Sequence, residues 1–176
     1  MSYTFKITLA QLNPTVGDLN GNADKAFAAW EKSKQSGADL VALPEMFITG
    51  YNAQDLISKT AFHTAAIKTI QRLAKACADG PALAIGGPWK EGDSVFNAYF
   101  ILQSGKIKSV VEKHHLPNDS VFDEVRIFDS GAVGGPYSVG NTRIGSPICE
   151  DAWHEDVVET QVETGAEFLL IPNGSP

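Results

Sequence analysis

Short apolar runs that stop at turn formers constrain this chain more than anything else in it. Residues 39–43, 82–85 and 168–171 are each four or five residues long and almost wholly apolar, and they end at Pro44, Gly86-Gly87 and Pro172. Runs of that length read as strands buried on both faces, because a helix of the same burial would need at least ten residues. Between them lie stretches with helical spacing. Residues 20–34 place Ala23, Ala26, Phe27 and Trp30 on one face, and residues 61–78 do the same with Ile70, Leu73, Ala76 and Cys77. Strands alternating with amphipathic helices predict an α/β fold in which a sheet is covered by helices.

The remaining segments extend the pattern. Residues 5–12 predict a first strand, ended by Asn13-Pro14, and residues 95–102 and 106–112, joined at Ser104-Gly105, predict a β-hairpin. Residues 142–148 predict a further strand, followed by a helix over 151–164 that Gly165 ends. The sheet is therefore expected to be mixed. There is no internal repeat and no linker composition, so one domain over residues 1–176 is expected. The chain stops at Asn173-Gly174-Ser175-Pro176, directly after a buried strand, and is expected to be a piece of a longer protein or to need a partner.

Several classes of function fall away on composition. With 43% hydrophobic and 20% charged residues the chain is not of a disordered type. A net charge of -7 and the lack of a Lys/Arg run speak against nucleic acid as a partner. No apolar stretch reaches the roughly 20 residues a membrane span needs, and the first residues alternate as a strand does instead of forming a signal peptide. A cytoplasmic location is expected. Two cysteines, Cys77 and Cys149, are too few for a disulfide framework, and Cys77 reads as core.

Three reactive side chains stand just past the ends of apolar strands: Glu45 after ADLVALP, Lys113 after IKSVVE, and Cys149 after TRIGSPI. Ligands of helix-covered sheets gather at strand ends, so the three are expected to converge on one pocket. Taken singly, Glu45 reads as a turn residue, Lys113 as a solvated strand end and Cys149 as a packed thiol. Together they suit amide cleavage. The thiol supplies a nucleophile, favoured as thiolate by the ammonium and by the N-terminus of the following helix. The carboxylate supplies a base and then an acid, and the ammonium an oxyanion partner with the N–H of Glu150. Glu150 and Asp151 otherwise read as first-turn acids that favour the helix dipole.

The runs LPEMF with Gly50-Tyr51, Lys113 with Leu116-Pro117-Asn118 and Phe122-Asp123-Glu124, and Ile148-Cys149-Glu150-Asp151-Ala152-Trp153 resemble the carbon–nitrogen hydrolase (nitrilase) superfamily. CEDAW, and LPN followed by VFDE, are most similar to the glutaminase domains of glutamine-dependent NAD synthetases. That resemblance covers essentially the whole chain and implies an αββα sandwich, incomplete at its C-terminal end. It carries a catalytic triad onto Glu45, Lys113 and Cys149, and a supporting glutamate onto Glu124. It also places Trp153 beside the substrate and Ser175 in a segment lining a glutamine pocket. The substrate it implies is glutamine, with no cofactor for its hydrolysis. ATP and Mg would serve a synthetase domain of the same polypeptide, whose phosphate-binding loop this chain lacks. The resemblance also implies a homo-oligomer, since the family often pairs sandwiches face to face.

The alternatives are a stand-alone ω-amidase or carbamoyl hydrolase of the same superfamily, and a non-catalytic assembly module. A module freed from chemistry would have no reason to keep Glu45, Lys113 and Cys149 together. No metal is expected: there is no CxxC or HxxxH pair, and His114 and His115, adjacent on a strand, would point to opposite faces. A Cys149–His154 dyad is disfavoured by its five-residue spacing on a helix.

Overall fold

A computed structural model of the chain describes residues 4–174. Its first sheet has five strands in sequence order: β1 (Ile7–Leu9), β2 (Leu40–Ala42), β3 (Ala82–Glu91), β4 (Ser94–Gln103) and β5 (Lys106–Glu112). The first three run parallel, and β4 is antiparallel to both β3 and β5. β5 therefore runs in the same sense as β2, and the residues that follow these two strands emerge at one end of the sheet. A second sheet holds β6 (Tyr137–Val139), β7 (Thr142–Gly145) and β8 (Phe168–Leu169), with β7 and β8 parallel.

Strand alternation distributes the core over two faces. Leu83, Ile85, Phe100 and Leu102 pack with Ala26 and Trp30 of helix α1 (Leu19–Gln35) and with Ile70 and Leu73 of helix α2 (Thr60–Ala76). Ala82, Ala84, Tyr99 and Ile101 pack on the other side with Tyr137, Val139 and Ile144 of the second sheet. Helix α3 (Glu155–Glu163) covers that sheet's outer face, where Gln161 lies so close over Gly145 that a Cβ there would sit 2.4 Å from its side-chain oxygen. The layers are thus helix, sheet, sheet, helix, the αββα sandwich implied by the resemblance. Cys77 is buried within the first core cluster, as its helical spacing predicts.

α1 is capped by Asp18, whose side chain accepts the Gly21 N–H at 2.9 Å. Trp30 on its buried face donates Nε1–H to the Pro81 carbonyl at 2.8 Å, tying the helix to the turn that starts β3. Tyr99 donates its hydroxyl to the Leu43 carbonyl across the sheet interior, fixing the chain as it leaves β2.

Four elements differ from expectation. Gly86-Gly87 does not end β3, which continues through Pro88 to Glu91. The glycine is there for clearance: a Cβ on Gly86 would lie 2.2 Å from the Met46 nitrogen and 2.6 Å from the Glu45 carbonyl carbon. The helix expected over 151–164 is two pieces, a 3-10 turn (Cys149–Trp153) and α3, separated by His154 in extended conformation. The short strand β6 and a 3-10 segment (Tyr51–Leu56) were not foreseen, since neither is long enough to show a period.

Because β3 and the turn after β2 touch backbone to backbone, Gly86→Ala is expected to destabilise the fold by about 1–3 kcal/mol. A lowered urea midpoint at unchanged slope is the expected reading, and an unchanged midpoint would show that the crossing is loose.

Candidate active site

Glu45 stands three residues past β2 and Lys113 one residue past β5, both at the strand ends described above. Both are buried, and so is Glu124, which reaches in from the loop after β5. Lys113 Nζ donates to Glu45 Oε1 at 2.8 Å and to Glu124 Oε1 at 2.9 Å. An ammonium has three donors, so one is left for a further acceptor. Asn97 on β4 completes the frame. Its side-chain N–H donates to Glu45 Oε1 at 2.8 Å and more weakly to Glu124 Oε1 at 3.4 Å, while its carbonyl accepts the Lys113 backbone N–H at 2.8 Å. Tyr51 donates its hydroxyl to Glu124 Oε1.

The electrostatics of this cluster keep the lysine charged. Burial alone would draw the Lys113 ammonium down, but the two carboxylates outweigh it and the net shift is upward. Glu124 is pushed up by burial, with Lys113 opposing and Glu45 adding to the rise. Its Oε2 is buried without a partner among the described residues, which fits a carboxyl whose ionised form is poorly supported on one side. Burial, followed by the charges of Glu124 and Glu45, raises the Tyr51 phenol, and Cys149 also contributes. Tyr51 is thus a neutral donor with the carboxylates and the thiol around it.

Cys149 arrives from the second sheet. It follows β7 and adopts φ 49°, a left-handed backbone uncommon for a residue with a Cβ. Met46, the residue after Glu45, does the same at φ 50°. Asp151 holds the cysteine turn: its buried carboxylate accepts backbone N–H groups from Ile148 at 3.1 Å, His114 at 3.1 Å and His115 at 2.7 Å. Burial raises the Asp151 carboxyl, against which these three N–H groups work. Through Asp151 the strand end that carries Lys113 is bonded to the turn that carries Cys149.

The segment after β8 links the thiol to Glu45. Cys149 Sγ lies 3.5 Å from Asn173 Oδ1, and the next residue, Gly174, donates its N–H to Glu45 Oε2 at 2.9 Å. A Cβ on Gly174 would meet Tyr51 at 2.5 Å, so only glycine lets this segment close over the site. A recess lined by Met46, Tyr51, Ile57, Val121, Glu124 and Phe128 opens beside it.

The structure therefore gathers Glu45, Lys113, Glu124 and, through two consecutive residues, Cys149. It places other candidates differently. Glu150 is partly exposed and faces His154 at 3.4 Å, and Trp153 is 82% exposed instead of packed or lining the recess. Ser175 lies outside the described residues. The expected support of the thiol by a helix N-terminus is not built, because α3 begins six residues after Cys149. His114 and His115 do not diverge: the strand ends at Glu112, and their rings meet edge to face at 4.7 Å. Asn97, Tyr51, Asp151 and Asn173 were missed. A signal existed for Asn97, the one amide within the apolar run VFNAYFIL, and for Asp151, a second acid beside the cysteine.

With this geometry in hand, comparison with known proteins is informative. The family model described as carbon-nitrogen hydrolase matches residues 6–176. A glutamine-dependent NAD(+) synthetase of Rhodobacter capsulatus is 53% identical over 176 residues, 100% of this chain and 32% of the relative. One from Thermotoga maritima is 34% identical over 96% of this chain and 29% of its own length. The chain thus spans about a third of the length of these relatives. Among solved structures, the glutamine-dependent NAD+ synthetase of Acinetobacter baumannii superposes with a TM-score of 0.89 at 28% identity, covering 98% of this chain and 32% of that one. An amidase from Nesterenkonia sp. shares the fold at a TM-score of 0.80 and 22% identity, covering 96% of this chain and 64% of that one.

The two cysteines offer a test. Burial pushes the Cys77 thiol up to about 12, so at about pH 8 only on the order of one in ten thousand is thiolate. Iodoacetamide followed by peptide mass mapping is expected to modify Cys149 and leave Cys77 intact. Label on Cys77 alone would mean that Cys149 is not a reactive thiol.

Proposed function

The chain belongs to the carbon–nitrogen hydrolase family, and on that premise we propose that it hydrolyses the side-chain amide of glutamine, supplying ammonia to NAD synthesis in a longer polypeptide. The observation that carries this reading is the buried Glu45–Lys113–Glu124 cluster joined to Cys149 through Asn173 and Gly174. Similarity over this whole chain, though over only 32% of the relative, to a glutamine-dependent NAD(+) synthetase suggests the substrate.

The residues divide the work by what each atom already holds. Glu45 Oε1 is occupied by Lys113 and Asn97, which leaves Oε2, on the side of Gly174, as the oxygen that takes the thiol proton. Cys149 Sγ then attacks the amide carbon. Negative charge develops on the amide oxygen, where the third Lys113 donor and the Glu150 N–H stabilise it. Collapse of the tetrahedral adduct breaks the C–N bond as Glu45 returns its proton to the leaving nitrogen. Ammonia departs and a thioester stays on Cys149. Water, deprotonated by Glu45, attacks the thioester and releases glutamate and the thiol. Glu124 and Tyr51 take no proton in this sequence; they hold Lys113 in line.

The thiol, the carboxylate and the ammonium supply nucleophile, base and oxyanion partner, so these steps call on neither ATP nor magnesium. The synthetase domain of the same polypeptide would use them, amidating an adenylylated substrate with the ammonia made here.

In the full-length protein, Cys149→Ala is expected to lower glutamine-dependent NAD formation on the order of a thousandfold or more while sparing formation from added ammonia. Persistent glutamine use by that variant would remove Cys149 as nucleophile. Equal loss with both nitrogen sources would point to damage beyond the amide-cleaving step.

A further inference from the structure

Outside the site just described, the densest group of ligating side chains is His114, His115 and Asp156, with His154 against it. We infer that His114, His115 and Asp156 form a binding site for a divalent transition-metal ion of the zinc type, on the face where the Lys113 strand end meets α3. One ligand atom from each of the three lies within 4.8 Å of the other two. His115 Nε2 is 2.9 and 3.0 Å from the two Asp156 oxygens, and His114 Nε2 is 3.9 Å from Oδ2. An ion bound tetrahedrally at about 2.0–2.1 Å from each ligand holds neighbouring ligand atoms roughly 3.3 Å apart. The present separations fall on both sides of that value, so small side-chain rotations close the site once the ion replaces the proton that His115 Nε2 shares with Asp156, which is released to solvent.

The surroundings are those of a ligand set that is already oriented. His114 Nδ1 faces the Gly131 carbonyl at 2.7 Å. A carbonyl only accepts, so Nδ1 donates there, and in the neutral ring Nε2, on the side of Asp156, is the atom left to bind an ion. Ser130 donates its hydroxyl to the His114 carbonyl at 2.6 Å. The His115 ring is stacked on His154 at 3.7 Å with 16° between planes, and the backbone N–H groups of both ligand histidines are fixed by Asp151. The alternation rule fails here because both residues follow the last paired residue of β5, where no pleat sends neighbours to opposite faces.

Two imidazoles and one carboxylate select zinc, cobalt or nickel over magnesium or calcium, which take oxygen ligands. Three protein ligands leave a fourth position for water. Asp156 is about half exposed, so an ion can enter from solvent. Bound there, it would clamp α3 to the segment after Lys113 and stabilise the fold by mass action. None of the three ligands belongs to the glutamine-cleaving set, so this site stands whether or not that reading does.

The test uses full-length protein stripped with chelator and titrated with Co2+, whose visible absorption reports tetrahedral coordination. Wild type is expected to develop that band with one equivalent and to lose it to Zn2+. Asp156→Asn, an exposed change that leaves folding intact by circular dichroism, is expected to weaken binding at least about tenfold, and His115→Gln at least as much. Zn2+ should raise the melting temperature of wild type and not of Asp156→Asn. Absence of the band in wild type, or equal binding by both variants, would overturn the inference.

Discussion

The placement of an ammonium with no solvent exposure governs the rest of this structure. Lys113 is fully buried, and a lone charge in that position would cost several kcal/mol. Two carboxylates answer it, Glu45 from the turn after β2 and Glu124 from the loop after β5, and they in turn need donors that Asn97, Tyr51 and Gly174 supply. These partners come from four parts of the chain: the β2–α2 connection, β4, the loop after β5 and the segment after β8. The polar centre therefore acts as a fastener for both sheets, and its geometry cannot be relaxed at one point without leaving a buried charge or amide unpaired elsewhere.

The strand-end turns show the same economy. Met46 and Cys149 both take left-handed backbone, each costing about 1–2 kcal/mol for a residue with a side chain. Such strain persists where the surroundings over-determine it. At Met46 the constraint is β3, whose Gly86 backbone bonds Pro44 on one side and Ile48 on the other. At Cys149 it is Asp151, whose carboxylate gathers three N–H groups from two segments, and the Pro172 carbonyl that accepts the Cys149 N–H. Glu45 and Cys149 thus sit on or beside turns that packing holds in place.

This explains what was legible in the sequence and what was not. Apolar runs ending in Glu45, Lys113 and Cys149 are local signals, and the helices α1 and α2 show their period over 17 residues each. Asn97, Tyr51, Asp151 and Asn173 act through bonds that span the chain. Tyr51 meets Glu124 across 73 positions, and Asp151 meets His115 across 36. No periodicity encodes such pairs. The broken helix after Cys149 is a related case: first-turn acids at Glu150 and Asp151 mimic a helix start, but Asp151 spends its carboxylate on other segments, and the chain turns extended at His154 before α3 begins. His114 and His115 lie two and three residues past the end of β5, where strand alternation no longer applies.

Charge balance in the buried cluster bears on the choice of substrate. Glu45, Glu124 and Lys113 together leave one net negative charge, and a free thiolate would make it two within a poorly screened space. In the proposed mechanism, moving the thiol proton to Glu45 as the sulfur attacks avoids that second charge, because the proton stays inside the cluster and the new negative charge forms on the substrate oxygen beside Lys113. The arrangement works only if the group under attack is neutral at the start and its leaving group departs neutral. A carboxamide that releases ammonia meets both conditions, whereas a carboxylate or phosphate would add to the charge the lysine already has to balance.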